Sequence, residues 1–475
     1  MRSRRLSFLL LAFYFIFLGG SAYYTLIFPV RFFHHAFVTV LAAVWYYRRW
    51  RRDGLPQSPL NLPLYAAVVM WFITAATSID SRMAIENLWF VLLHVTIFFV
   101  LVDLIQCGRQ RLIMEAQFLL AALVVIVTGL ELASWYFGLG IVPGTDVGWL
   151  TVIGPGAWLP LEIRRVSLAM NISTLLAGYV APLIPLVIAW ALTAKQKDFR
   201  QVLWMLAVAL SVTLILTFSR GGILSVMGAF GAWGLMRIVQ QPAVIRRVNS
   251  AILVGGAVAV IVIAVGVLLL SQTRSSGDRV RVDMYESALE ILQEKPAFGV
   301  GTGEYGRAFR DYRTASLARD RLASAHNAYL NTAAETGILG IVISAWLGVI
   351  LLIAWRNNWK YQTSTARRLR LEAALAGLIG VGVHSVVDVF TTTPIVSVIA
   401  LLAAYSVVGH RTVLDKRPQG NKLAAGVALL ITIGYGIFFV QVDRAQIQYQ
   451  RSLGGGDDAI QSAQNADAID PNLNL

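Results

Sequence analysis

Thirteen predominantly apolar runs, each long enough to cross ~30 Å of hydrocarbon as a helix, recur along the 475-residue chain. They lie near 7–28, 30–47, 61–79, 86–105, 112–137, 170–194, 201–218, 221–238, 250–271, 328–355, 370–390, 394–411 and 422–441. In lipid such runs satisfy their own backbone hydrogen bonds by becoming helices. The predicted fold is therefore all-α: a polytopic membrane bundle of twelve to thirteen helices over residues 1–441.

Composition agrees. Hydrophobic residues make up 57% and charged residues 14% of the chain, against about 25% charge in ordinary soluble domains. The mean hydropathy is +0.65. A net charge of +14 would suit a nucleic-acid binder, but in a membrane protein a basic balance reflects the loops that fix its orientation; no nucleic-acid partner is expected. The single cysteine, Cys107, excludes an internal disulfide framework and a cysteine-based zinc site. The six histidines show no metal-ligand spacing such as HExxH, so no metal site is predicted. The basic and then apolar N-terminus imitates a signal peptide, yet runs on through Phe28 without a cleavage site, and is read as a retained first helix.

Lys and Arg set the orientation. With the N-terminus inside, the inner connections carry 24 of the 40 basic residues; of the rest, nine fall in one loop, 272–327, and seven elsewhere on the outer face. The predicted location is a bacterial inner membrane, N-terminus cytoplasmic, with the large loop in the periplasm. That loop holds an amphipathic stretch, Val282 to Leu292, with Tyr285, Ala288, Leu289 and Leu292 at helical spacing. Pro296 ends it and a glycine-rich turn follows. A second outer segment, 138–169, is rich in Gly and Pro and ends in Arg164 and Arg165. An odd number of spans puts the tail, 442–475, outside. Its small residues Ala459, Ala463 and Ala466 before an Asp-Pro turn look like the second half of a tetratricopeptide repeat, which cannot bury its apolar face alone.

Three stretches carry chemistry. In AHNAYLNTAAETGILG, residues 325–340, His326 stands where the outer loop gives way to a span. An imidazole with an ordinary pKa of ~6.5 suits a general base there; a helix-capping or interfacial histidine is the plainer alternative. In TFSRGGILS, residues 217–225, Arg220 lies at the end of an apolar run, a position that calls for an anionic partner or for snorkelling to the headgroups. In the stretch 279–306, Arg279 and Arg281 open the loop's helix and suit phosphate oxygens through the guanidinium fork. Gly301, Gly303 and Gly306 spell GxGxxG, but they follow a helix and a proline with no βαβ unit, so no dinucleotide site is read there.

In this order the motifs resemble the O-antigen ligase and polymerase superfamily, membrane glycosyltransferases acting on undecaprenyl-diphosphate-linked glycans. The likeness covers roughly residues 165–405: SRGG in a turn, Arg281 four residues before Tyr285, P-x-F-G-V-G, HN-x-Y with ETG-x-x-G, and HSVVD from His384 to Asp388 followed by Pro394. The segment before the sixth span supplies Arg165 and Asn171 but lacks the family's glycine.

The resemblance implies a GT-C-like helical fold and an inverting transfer that needs no metal, nucleotide or other cofactor. It implies that His326 deprotonates the acceptor and that Arg220 and Arg281, with Arg279 as an alternative, hold the donor diphosphate. Arg165, Asn327 and Tyr329 are candidate substrate contacts. The partners implied are an undecaprenyl-diphosphate-linked glycan, membrane lipids, and an acceptor such as lipid A-core, a second glycan or a protein. A transporter linked to bicarbonate is the alternative of another class. It would place ionisable residues deep in the spans, where Glu86, Glu115, Glu131, Glu372 and Asp388 are the candidates.

Overall fold

The computed structural model describes residues 30–137, 149–151, 162–170, 172–239, 275–312, 324–390, 392–408, 420–453 and 459–469. The chain begins with α1 (Val30–Arg51), α2 (Asn61–Ala76), α3 (Ser81–Gln106) and α4 (Gln110–Tyr136). A two-stranded antiparallel sheet follows, β1 (Trp149–Thr151) paired with β2 (Glu162–Arg164), with Trp149 opposite Arg164. This hairpin is the one departure from the all-helical expectation among the described residues. Then come a 3-10 turn (Leu168–Met170), α5 (Ser173–Val180), α6 (Leu183–Thr193), α7 (Lys197–Leu216) and α8 (Arg220–Val239). Next come α9 (Ser275–Glu294) and α10 (Tyr305–Tyr312). The last part comprises α11 (Ala328–Lys360), α12 (Thr365–His384), α13 (Thr393–Val407), α14 (Lys422–Leu453) and α15 (Ala459–Ile469).

Eleven of the thirteen predicted runs fall on these helices; the runs at 7–28 and 250–271 lie outside the described residues. Among the described residues seven helical stretches are long and apolar enough to cross a membrane: α3, α4, the α5–α6 stretch Ser173–Thr193, α7, α8, α11 and α14. α2 and α13 are apolar but shorter. The protein is a multi-pass membrane protein.

Start signals are local. Asp80 caps α3 by accepting the Met83 N–H at 3.0 Å, and Asn327 caps α11 by accepting those of Tyr329 and Leu330 at 3.0 and 3.1 Å. Each cap satisfies backbone donors that the first turn leaves without an intrahelical partner. The main core, with Leu176, Tyr179, Leu371 and Tyr405 fully enclosed, is built largely by α3 to α7 with α12 and α13. α12 packs along α8 and α6, α13 along α3, and α14 along α1. α14 runs without interruption through residue 441 to Leu453, and α15 folds back on it with Ala466 buried.

α9 and α10 share a small core with the start of α11. Met284, Ala288 and Ile291 of α9 meet Val300, Tyr305, Ala308, Phe309, Ala325 and Ala334. The predicted helix is present but longer, and its buried face is turned: Met284, Ser287, Ala288 and Ile291 are enclosed, whereas Leu289 is 45% exposed. Spacing within one helix cannot show that α10 and the start of α11 close over a different side.

Candidate active site

The P-x-F-G-V-G and ETG motifs meet and form a clamp that carries the site. Gly337 interrupts α11 at φ 64°, ψ −162°, and there the Ile338 N–H donates to Pro296 O at 2.8 Å. Reciprocally, Val300 and Gly301 donate to Ala334 O and Glu335 O, both at 3.0 Å. A Cβ on Gly299 (φ 68°) would lie 2.4 Å from Ala334 O, and one on Gly337 2.5 Å from the Ala297 carbonyl group. Positive φ and close backbone approach together demand glycine at both positions. On its other side the clamp rests on the α2–α3 corner, where Ile79 N–H and Ser78 Oγ donate to Val300 O at 3.1 and 3.0 Å. Gly301, the first glycine of GxGxxG, thus belongs to a structural joint.

At the head of α11, His326 adopts φ 48°, a rare conformation for a non-glycine residue and one that recurs at functional sites. Its Nδ1 faces Asp388 Oδ1 at 3.5 Å; the histidine is 40% exposed, the aspartate 8%. Burial pushes the Asp388 carboxyl up, but the hydrogen bond to His326, the neighbouring His384, the Val389 N–H and the Thr174 hydroxyl outweigh it and hold the group below its usual value. A carboxylate facing Nδ1 keeps the proton on that nitrogen and leaves Nε2 as the acceptor.

Asp388 is in place because α12 stops at His384, short of the predicted end at 390, and the following turn is stitched to the head of α11. Ser385 O accepts the Ala328 N–H at 2.8 Å, and the Tyr329 hydroxyl donates to Gly382 O at 2.8 Å. Tyr285 of α9 reaches the same turn, donating to Val386 O at 3.4 Å. The HN-x-Y and HSVVD motifs therefore form one unit. Asn327 uses its side-chain oxygen for the helix cap, and Tyr329 holds the turn, so each of these candidate contacts has a structural task.

The SRGG turn packs against this unit. A Cβ on Gly221 would lie 2.5 Å from His384 Cδ2 and 2.7 Å from Val387 Cγ2, which accounts for the glycine. Phe218 takes φ 47° in the turn, and the Ser219 side chain accepts the Gly222 N–H at 3.1 Å to start α8. Arg220 is thus the first, half-buried residue of a 20-residue helix whose positive dipole end lies at the site. The half-buried Arg281 guanidinium lies within electrostatic reach of His384. Of Arg279 the helical backbone alone is described.

Arg165 supports the same turn: its Nε donates to Thr217 O, and the Val166 N–H to Leu216 O at 3.2 Å. Glu131 anchors the segment by accepting the Ser167 and Leu168 N–H groups, at 3.1 and 2.9 Å to Oε2. Asn171 lies outside the described residues.

The structure thus brings together the His326–Asp388 pair, Arg220 at a helix N-terminus and Arg281 from α9. Such a set suits proton abstraction from a hydroxyl next to a bound phosphate. The fold is that of a polytopic membrane protein. Residues 204–345 match the Wzy_C family, described as O-antigen ligase, so the chain carries an O-antigen ligase family domain. The match includes Arg220, Arg281 and His326 and ends before Asp388. A comparison with curated proteins finds no match to the chain.

Proposed function

We propose that this protein is a metal-independent inverting glycosyltransferase of the O-antigen ligase kind, moving a glycan from undecaprenyl diphosphate to an acceptor hydroxyl such as that of lipid A-core. The reading rests above all on the His326–Asp388 pair, half open to solvent and flanked by Arg220 and Arg281. His326 Nε2 takes the acceptor hydroxyl proton as that oxygen attacks the anomeric carbon. The bond from this carbon to the diphosphate oxygen breaks with its electron pair on the leaving group, and the configuration inverts. Asp388 stabilises the imidazolium formed, while Arg220, Arg281 and the α8 N-terminus offset the charge on the departing diphosphate. The imidazolium then loses its proton to water. The donor already carries its activation.

The site faces the periplasm of a bacterial inner membrane in this reading, with the N-terminus cytoplasmic, because the basic connections lie at the opposite end of the bundle. A second glycan or a protein hydroxyl would serve as acceptor by the same chemistry. The enzyme reading is favoured over transport by the partners that these candidate acids already have. Glu86 pairs with Arg82, Glu131 with two backbone N–H groups, Glu372 with Trp359, Trp233 and Arg237, and Asp388 with His326. Purified protein given undecaprenyl-diphosphate glycan and each acceptor class is expected to form transferred product. No transfer to any acceptor, with ion flux in sealed vesicles, would overturn the proposal.

A further inference from the structure

α9 has a second apolar side that stays largely open. At about 100° per residue, Met284, Ala288 and Ile291 fall on its enclosed face, and Val282, Tyr285, Leu289 and Leu292 form a stripe beside them, at i, i+3, i+7 and i+10. Val282 and Leu289 are exposed, Tyr285 and Leu292 partly so. Glu286, Glu290 and Glu294 occupy the remaining side and are exposed. Arg281, half-buried and one turn before Tyr285, stands at the edge of the stripe away from those acids.

A stripe of this kind is covered by protein or by lipid, and the surroundings of α9 favour lipid. Beyond the helix comes the exposed Phe298, and Pro296 O accepts the Ile338 N–H at 2.8 Å, so this short segment lies against α11. There Ile338, Ile341 and Val342 are exposed on a candidate membrane span, where apolar side chains meet hydrocarbon. The chain's reach also excludes an upright helix. α9 has 20 residues and is about 30 Å long. The apolar run 250–271, predicted to span, stops four residues before Ser275, which allows at most ~14 Å of chain. Two residues after Glu294 the chain is bonded to α11. With both ends held close to spans, α9 lies along the membrane surface. Its charges agree: the acids turn away from the stripe, and Arg281 can bring its guanidinium to lipid phosphates while its stem rests on apolar surface.

We propose that α9 is seated on the bilayer surface at the His326 end of the bundle, with Val282, Tyr285, Leu289 and Leu292 among the lipid chains. The seating does not depend on the reaction proposed above, although it would hold Arg281 at the depth of a lipid-linked phosphate. In a chain carrying Cys107→Ala, L289C and E290C, each labelled with an environment-sensitive fluorophore, report the two sides of the helix in vesicles. The L289C label is expected to be quenched several-fold more by lipids brominated near the headgroup end of the acyl chain than by aqueous iodide, and the E290C label in the opposite order. An interfacial helix lies about 5–10 Å deep, so lipids brominated near the methyl end should quench the L289C label less. Equal access of iodide to both labels would overturn the proposal. So would protection of the L289C label from iodide and brominated lipid alike, which would identify a protein neighbour, such as a second copy. V282C serves if L289C cannot be purified, with the same order required.

Discussion

A histidine that must accept a proton works best when one ring nitrogen is committed and the other left bare, and Asp388 commits Nδ1 of His326. His326→Ala is expected to lower the transfer rate by about 10²–10⁴-fold while donor binding persists. Asp388→Asn is expected to approach that loss by presenting the wrong tautomer; single-turnover assays beside donor-binding titrations check both. A different residue governs stability. Glu304 is enclosed near Asp80 and Glu335, and burial first, then those two charges, raise its carboxyl to about 7 against the pull of Arg307. The folded protein thus holds a proton that the unfolded chain releases from its ordinary value of 4.5 upward. Stability should fall as pH rises from there through about 7 and then level off. Thermal midpoints between pH 5 and 8 should show this slope, and Glu304→Gln should make it shallower. His326 was legible in the sequence because it sits at a polar-to-apolar boundary. Its pairing with Asp388 was not, since it depends on where α12 stops and how the next turn folds back.

Elements were read more reliably for their existence than for their facing. Apolar runs predict membrane helices because lipid leaves the backbone few alternatives, and the described helices fall where those runs lie. The phase of α9 was misread because its buried side is chosen by α10, Ala325 and Ala334, partners distant in sequence. The same cause hid the role of the glycines at 299 and 337, whose positive φ values make sense only when the two strands of the clamp are seen together. The corrected phase has a direct check. Ile291, fully enclosed, should cost about 2–5 kcal/mol when changed to Ala. Leu289→Ala, at a 45% exposed position, should be close to neutral. Thermal unfolding of the two variants side by side distinguishes the faces, and the opposite order would restore the face read from spacing.

For the whole molecule, orientation follows from where the charges fall and can be read with the protein's own cysteine. Cys107 is partly exposed at the α3–α4 corner, beside the basic Arg109 and Arg111. In intact cells a membrane-impermeant maleimide should fail to label it, and labelling should appear once the membrane is opened. A cysteine introduced for Ser324, in a chain with Cys107→Ala, should behave in the opposite way. The bundle also gives the proposed catalytic pair an unusual mounting. His326 precedes α11, a 33-residue stretch interrupted at Gly337 whose greater part is a candidate membrane span, and Asp388 follows the end of α12. Helices tilt to match the thickness of the lipid around them, so in the proposed enzyme the spacing between His326 and Asp388 is tied to a property of the membrane. Turnover in vesicles of graded acyl-chain length should therefore pass through an optimum, with donor affinity changing less, and the bilayer then acts as a gauge for the distance across which the proton is held.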